Sequence, residues 1–150
     1  MSEPPTIHAS AVLIGAKAAL IRGPAGSGKS QLAWELVQGS LNGALPFARL
    51  VADDRAHIEN RAGRLLVRPA PALGGLIEIR GLGIRRLPYE PVATVGLIVD
   101  LAAADADRVP APQTGQISLE GVALPRLAVA PGQFALPLLQ AFLGSSPGAN

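Results

Sequence analysis

An α/β domain with a mixed β-sheet and flanking antiparallel strands is what this 150-residue sequence predicts. Three observations carry that reading. A glycine-rich loop joins an apolar run to a helical segment, the apolar residues are almost all aliphatic, and two apolar stretches are broken by tight-turn residues into hairpin-like pairs. A strand, a glycine loop and a helix in succession form the opening unit of many α/β sheets, and aliphatic side chains are what sheets covered on both faces contain.

Length and composition fix the outer bounds. A chain of this size has enough residues for one domain with a sizeable core, and two domains are disfavoured. Hydrophobic residues make up 49% and aromatics only 3%, so the core is built from Leu, Ile, Val and Ala. No cysteine is present, which removes disulfides, thiolate zinc sites and cysteine nucleophiles. Net charge is +2 with a pI near 9.7, but the arginines are scattered and few aromatics exist to stack bases. Nucleic acid is therefore a disfavoured partner. No apolar run approaches a membrane span and no leader pattern opens the chain, so the expected compartment is the cytoplasm.

In chain order, residues 1–6 are expected as a flexible tail, 7–143 as the folded domain and 144–150 as a second tail. Ile7 to Ile14 reads as a strand, Gly15-Ala16-Lys17 as a turn and Ala18 to Arg22 as the returning strand of a hairpin. Then comes Gly23-Pro24-Ala25-Gly26-Ser27-Gly28-Lys29-Ser30, which fits the P-loop spacing G-x-x-x-x-G-K-[ST]. Glycines at 23, 26 and 28 let the backbone take positive φ and turn its N–H groups toward a polyphosphate. Lys29 can reach the β- and γ-phosphates, Ser30 can ligate Mg²⁺, and the helix expected from Gln31 to Val37, ending near Gly39, brings its positive dipole end beneath the anion.

Arg49-Leu50-Val51-Ala52 reads as a buried strand ending in Asp53-Asp54. Paired acids at such a strand end, on a strand beside that of the P-loop, would lie close to the metal and γ-phosphate. His57 to Asn60 and Arg64 to Arg68 form a second hairpin around Arg61-Ala62-Gly63. In the run Leu76 to Ile84, Glu78 and Arg80 share a face if the run is a strand, and spacing leaves open a structural ion pair or a metal-ligand role. Val92 to Leu101 is the expected central strand, 102–113 a polar connection carrying Asp105, Asp107 and Arg108, and Ile117 to Glu120 and Val122 to Val129 short final strands, with Pro125 favouring an edge. Phe134 to Leu143 reads as a closing amphipathic helix despite Pro137. His8 stands near the start of its strand, and from spacing alone it is structural.

Four separated stretches, His8-Ala9, Gly23 to Ser30, Leu50-Val51-Ala52-Asp53-Asp54-Arg55 and Leu76 to Ile84, together resemble the catalytic domain of bacterial HPr kinase/phosphorylase. That family phosphorylates a serine of the phosphocarrier HPr. The resemblance runs from about residue 7 to residue 101 and implies the fold shared with phosphoenolpyruvate carboxykinase, ATP and Mg²⁺ as cofactors, an HPr-type phosphocarrier as partner and ring-like hexamers as a possible assembly. It implies roles as well. His8 resembles the family's active-site histidine, Asp53 the acid that takes the serine proton with Asp54 assisting, and Glu78 a Mg²⁺ ligand beside Ser30 and Asp53. Arg80 lies in the signature stretch, and Arg108 resembles an arginine that steadies the transferring phosphoryl group.

Two departures stand out. Arg85 to Pro91 replaces a glycine-rich loop, and Val129-Ala130-Pro131-Gly132-Gln133 lacks both arginines of a segment the family uses for dephosphorylation. The chain resembles truncated family members without the N-terminal domain, and kinase activity is better supported than phosphorylase activity. A small-molecule kinase on the same scaffold and a non-catalytic nucleotide-binding regulator remain as the alternatives.

Overall fold

A computed structural model describes residues 5–148. Strand β1 (Thr6–Ile14) turns at Gly15 into β2 (Lys17–Arg22), which feeds the glycine loop and helix α1 (Lys29–Leu41). After α1 come β3 (Ala48–Ala52), β4 (Arg55–Arg61), β5 (Arg64–Pro69), β6 (Leu76–Ile79), β7 (Gly83–Arg86) and β8 (Ala93–Asp100). A 3-10 turn, Pro112–Gly115, precedes β9 (Gln116–Leu119), β10 (Val122–Ala128) and helix α2 (Ala135–Leu143). Parts of the expected tails, 1–4 and 149–150, lie outside the described residues, and β1 already begins at Thr6.

The main sheet runs β2-β1-β4-β5-β8-β10-β9, and β2 also pairs in parallel with β8. Those pairings close β2, β1, β4, β5 and β8 into a circuit. Inside it sits one core of small and branched residues, including Ala9, Ala11, Ala18, Leu20, Ala56, Val67 and Ile98. The alternate residues of the same strands face outward onto the helices. Val12, Ala19, Ile21 and Val99 there pack with Leu32, Leu36 and Leu139 in a second core. β2 is therefore covered on both faces, which is why it reads as an unbroken apolar run. Leu20 and Ile21 are both fully buried, and each such side chain contributes about 1.5–3 kcal/mol of transfer free energy.

Several expectations are settled here. β3 does not lie beside β2; it pairs antiparallel with β1, one strand away. Because β1 is antiparallel to both, β2 and β3 run the same way and end at the same rim. The apolar run 76–84 is two strands, since a turn over 80–82, with Gly81 and Gly83 at φ 92° and 88°, folds β7 back on β6. Arg80 is thus in the turn and does not share a strand face with Glu78. Pro125 keeps the edge character expected of it: residues 122–125 of β10 pair with β9 alone, and pairing with β8 begins only at Arg126. Gly39 does not stop α1, which continues to Leu41. A Cβ at Gly39 would stand 2.6 Å from Leu45 Cδ1, so close packing explains the glycine.

The antiparallel hairpins follow their turn chemistry. Ala62 and Gly63, with φ of 55° and 84°, make the two-residue left-handed turn that matches strand twist between β4 and β5. Pro137 is accommodated because it lies in the first turn of α2, where a backbone N–H has no partner within the helix.

Candidate active site

The site forms where β2, β3 and α1 meet. β2 ends at Arg22, and residues 23–28 loop over to α1, whose N-cap Gly28 has φ 101° while Gly26 has φ 79°. Both conformations favour glycine. Gly23 is required for a different reason. A Cβ there would stand 2.5 Å from Ser27 Oγ and 3.1 Å from Leu101 Cβ, so the loop closes only without a side chain. Ser27 Oγ itself is buried and has no hydrogen-bond partner among the described residues. Lys29 folds back across the loop and donates to the carbonyl oxygens of Gly23 at 2.9 Å and Pro24 at 3.3 Å.

Asp53 is the centre of the arrangement. It is 7% exposed, and its partners among the described residues are hydroxyl and backbone groups, with no basic side chain paired to it. Ser30 Oγ lies 2.7 Å from its Oδ1 and 2.8 Å from its Oδ2. Ser10 Oγ donates to Oδ1 at 2.7 Å and the Glu78 backbone N–H to Oδ2 at 3.2 Å. A buried carboxylate needs such donors, since removal from water is strongly unfavourable without them. The next residue turns the other way. Asp54 adopts φ 68°, which directs the first acid inward and leaves the second in solvent at 69% side-chain exposure. His8 Nδ1 lies 4.0 Å from Asp54 Oδ1, also exposed.

The structure thus gathers His8, Lys29, Ser30, Asp53 and Asp54, with Glu78 joined through its backbone and its side chain exposed. Arg80 follows in the exposed turn. Arg108 is not brought to this cluster. It borders a cavity of about 540 Å³ with Asp107, Arg126, Leu138 and Phe142. A different cavity, about 510 Å³, opens beside the glycine loop between Gly26, Gln31, Leu101 and the segment 129–135. Among the described residues, no three His, Asp or Glu side chains converge as a self-contained metal cage. Ser30 and the two acids offer only hard oxygen donors, which suit a Mg²⁺ that takes its remaining ligands from phosphate and water.

A second charged group lies beneath the loop, and sequence reasoning passed over it. Arg22 donates to both oxygens of Asp100 at 2.8 Å, and Arg126 Nε donates to Asp100 Oδ2 at 2.6 Å. Arg126 also grips Asp105 at 2.8 and 3.0 Å. Asp105 is therefore an ion-pair partner and not a free loop charge. Burial works against the Asp100 charge, but the hydrogen bonds and positive charges of Arg22 and Arg126 outweigh it and hold the carboxyl below its ordinary value. The hydrogen bond from Arg126 likewise lowers Asp105, and the bond to Asp105, with help from Asp100, raises Arg126. The network ties the end of β2, one residue before the loop, to β8 and β10.

Ser10 also escaped sequence reasoning. Its signal was present: it is the one polar residue in the buried middle of β1, and a hydroxyl at 0% exposure needs partners.

Comparison with known proteins adds ancestry to this geometry. The family model described as HPr Serine kinase C-terminal domain matches residues 1–89. The HPr kinase/phosphorylase of Lactiplantibacillus plantarum is 40% identical over 85 residues, 56% of this chain and 25% of that protein. That of Streptococcus thermophilus is 32% identical over 140 residues, 86% of this chain and 43% of that protein. The chain thus spans from about a quarter to under half of these relatives. The solved structure of the Hpr(Ser) kinase/phosphatase from Coxiella burnetii shares the fold, with a TM-score of 0.73 at 22% identity, covering 93% of this chain and 88% of that one.

Proposed function

The chain belongs to the HPr serine kinase C-terminal domain family, and from that premise we propose that it transfers the γ-phosphoryl group of ATP to a serine of an HPr-type phosphocarrier protein. One observation carries this reading. Asp53, the only buried acid at the rim among the described residues, lies against Ser30 at the start of the helix that follows the glycine loop. A carboxylate so placed can orient a serine hydroxyl and take its proton while the triphosphate lies along the loop.

In this scheme residues 23–30 and Lys29 hold the phosphates. The buried Ser27 Oγ, without a hydrogen-bond partner among the described residues, and the open space above Gly26 and Gly28 fit a cradle for an anion. Ser30, Asp53 and Glu78 would hold Mg²⁺, whose chemistry there is to draw off the negative charge of the phosphates. The acceptor oxygen forms a bond to the γ-phosphorus as the bridge to the β-phosphate breaks, ADP leaves, and the acceptor proton passes to Asp53. His8 and Asp54 form the exposed lip over which the acceptor enters, with Arg80 beside it. Arg108 receives no step, because it borders the other cavity.

The forward direction is favoured. The segment 129–133 lines the cavity beside the loop and presents Ala130 and Gln133 where the family pattern has arginines. The test is phosphate transfer from Mg-ATP to a purified HPr-type phosphocarrier, with mapping of the modified residue. Phosphoserine that vanishes with Asp53→Asn is the expected result. ATP binding without transfer to any carrier overturns it in favour of a nucleotide-binding regulator.

A further inference from the structure

We propose that Ser10 is a positioning residue for Asp53, holding the carboxylate in one orientation through the phosphoryl-transfer cycle; this rests on the reading of Asp53 as the acceptor's base. The torsion that turns an aspartate carboxylate is broad and twofold, so nothing intrinsic fixes it. Donors on its two oxygens do. Ser30 supplies one hydroxyl hydrogen that lies between Oδ1 and Oδ2 and can serve only one at a time. It is also the side chain that would turn a lone pair to Mg²⁺. Beside that one shared hydrogen, which Ser30 keeps when a lone pair is given to a metal, stand two donors each assigned to a single oxygen, Ser10 Oγ on Oδ1 and the Glu78 N–H on Oδ2.

Ser10 is suited to this because it is anchored at both ends. Its hydroxyl donates to Asp53 and accepts the Asp54 backbone N–H at 3.4 Å, so one group spans the carboxylate and the turn that aims it. Its Cα lies in the β1 ladder opposite Ile21 of β2, the strand that enters the glycine loop. Without Ser10, Oδ1 keeps no donor other than Ser30, and the carboxylate is free to swing about its remaining bond.

The experiment compares Ser10→Ala, Asp53→Asn and the double variant with the unmodified chain. It measures kcat for phosphocarrier phosphorylation, thermal unfolding, and Mg-ADP affinity from the fluorescence of the single tryptophan, Trp34 in α1. The expected result is a kcat lower by about ten- to a hundredfold in Ser10→Ala, the range for partners that orient a ligating or reacting carboxylate, with a much smaller loss of Mg-ADP affinity because the glycine loop, Lys29 and Ser30 still hold the nucleotide. In the Asp53→Asn background the same change should produce no further loss, because Ser10 acts through Asp53. Unchanged kcat in Ser10→Ala, or equal losses in both backgrounds, overturns the inference while leaving the kinase reading intact. Absence of transfer by the unmodified chain overturns the kinase reading itself. If Ser10→Ala does not fold, Ser10→Cys keeps the volume with a weaker donor and should show a smaller loss of the same kind; full rate in that variant, or failure of both to fold, assigns Ser10 to stability alone and overturns the inference.

Discussion

Ser30 Oγ sits 2.7 Å from Oδ1 and 2.8 Å from Oδ2 of Asp53, so the first turn of α1 and the end of β3 meet at one carboxylate. Asp53→Asn replaces one acceptor oxygen by a donor while keeping the shape. We expect kcat to fall by about 10²- to 10⁴-fold, the usual contribution of a general base, with nucleotide affinity retained. Steady-state transfer assays beside equilibrium nucleotide binding separate the two effects.

Among the described residues Lys29 makes two hydrogen bonds, both to loop carbonyls, and water can replace it there. Lys29→Ala should therefore leave the melting temperature nearly unchanged and abolish transfer. Full activity in this variant would remove the phosphate-cradle reading of the loop.

Gly23→Ala places a methyl group 2.5 Å from Ser27 Oγ and 3.1 Å from Leu101 Cβ. Overpacking of this kind destabilises by about 1–3 kcal/mol. The loop must shift to relieve it, so nucleotide binding should weaken more than stability does. Calorimetric titration and thermal unfolding on one preparation will show the ratio.

Asp100 has its carboxyl held below the ordinary value of 3.8. A depressed acid contributes stability that is present above the unfolded value and lost as pH falls through the folded one. Unfolding free energy should therefore be insensitive to this group from neutral pH down to about 4 and then decline. Asp100→Ala removes the acidic partner of the partly buried Arg22 and one of the two held by Arg126, and should destabilise by about 2 kcal/mol, a drop of about 4–8 °C in Tm. The acid-limb decline should be shallower in that variant. Asp105→Ala, at an exposed end of the network, should do less.

Ala62 holds φ 55° in the β4–β5 turn, a conformation unfavourable to alanine. Ala62→Asn creates the Asn-Gly pair that this turn favours and should stabilise by about 0.5–1 kcal/mol without altering transfer. Denaturant midpoints compared at constant slope will test it.

What could be read from the sequence was local. The β1–β2 hairpin, the glycine loop and α1 follow from spacing within a few residues, and so does the position of Asp53 at a strand end; that Asp53 turns inward while Asp54 turns out does not. The placement of β3 beside β1 instead of β2 depends on pairing between distant strands, which periodicity does not encode. The run Leu76 to Ile84 looks continuous because its turn glycines sit among apolar residues. Asp100 ends the longest apolar strand just as Asp53 ends a shorter one, but its partners Arg22 and Arg126 lie far off in the chain. Ser10 was hidden by its strand, where one hydroxyl among alanines and valine carries no motif.

Closure of the five-strand circuit sets an order of events during synthesis. Every candidate residue from His8 to Arg80 leaves the ribosome before β8, yet β2 gains its second partner only when Ala18 pairs with Val95 and Arg22 with Asp100. Contacts between positions so far apart in the chain form late, because the intervening loop must be closed first. A nascent chain ending at residue 89, where the family match ends, would carry all of the motifs that the match contains and none of the β8 pairings. Catalytic competence should thus be absent until β8 has emerged, well after the last of those motifs has been translated, and complete only once the segment 126–139 that packs beside the loop has followed.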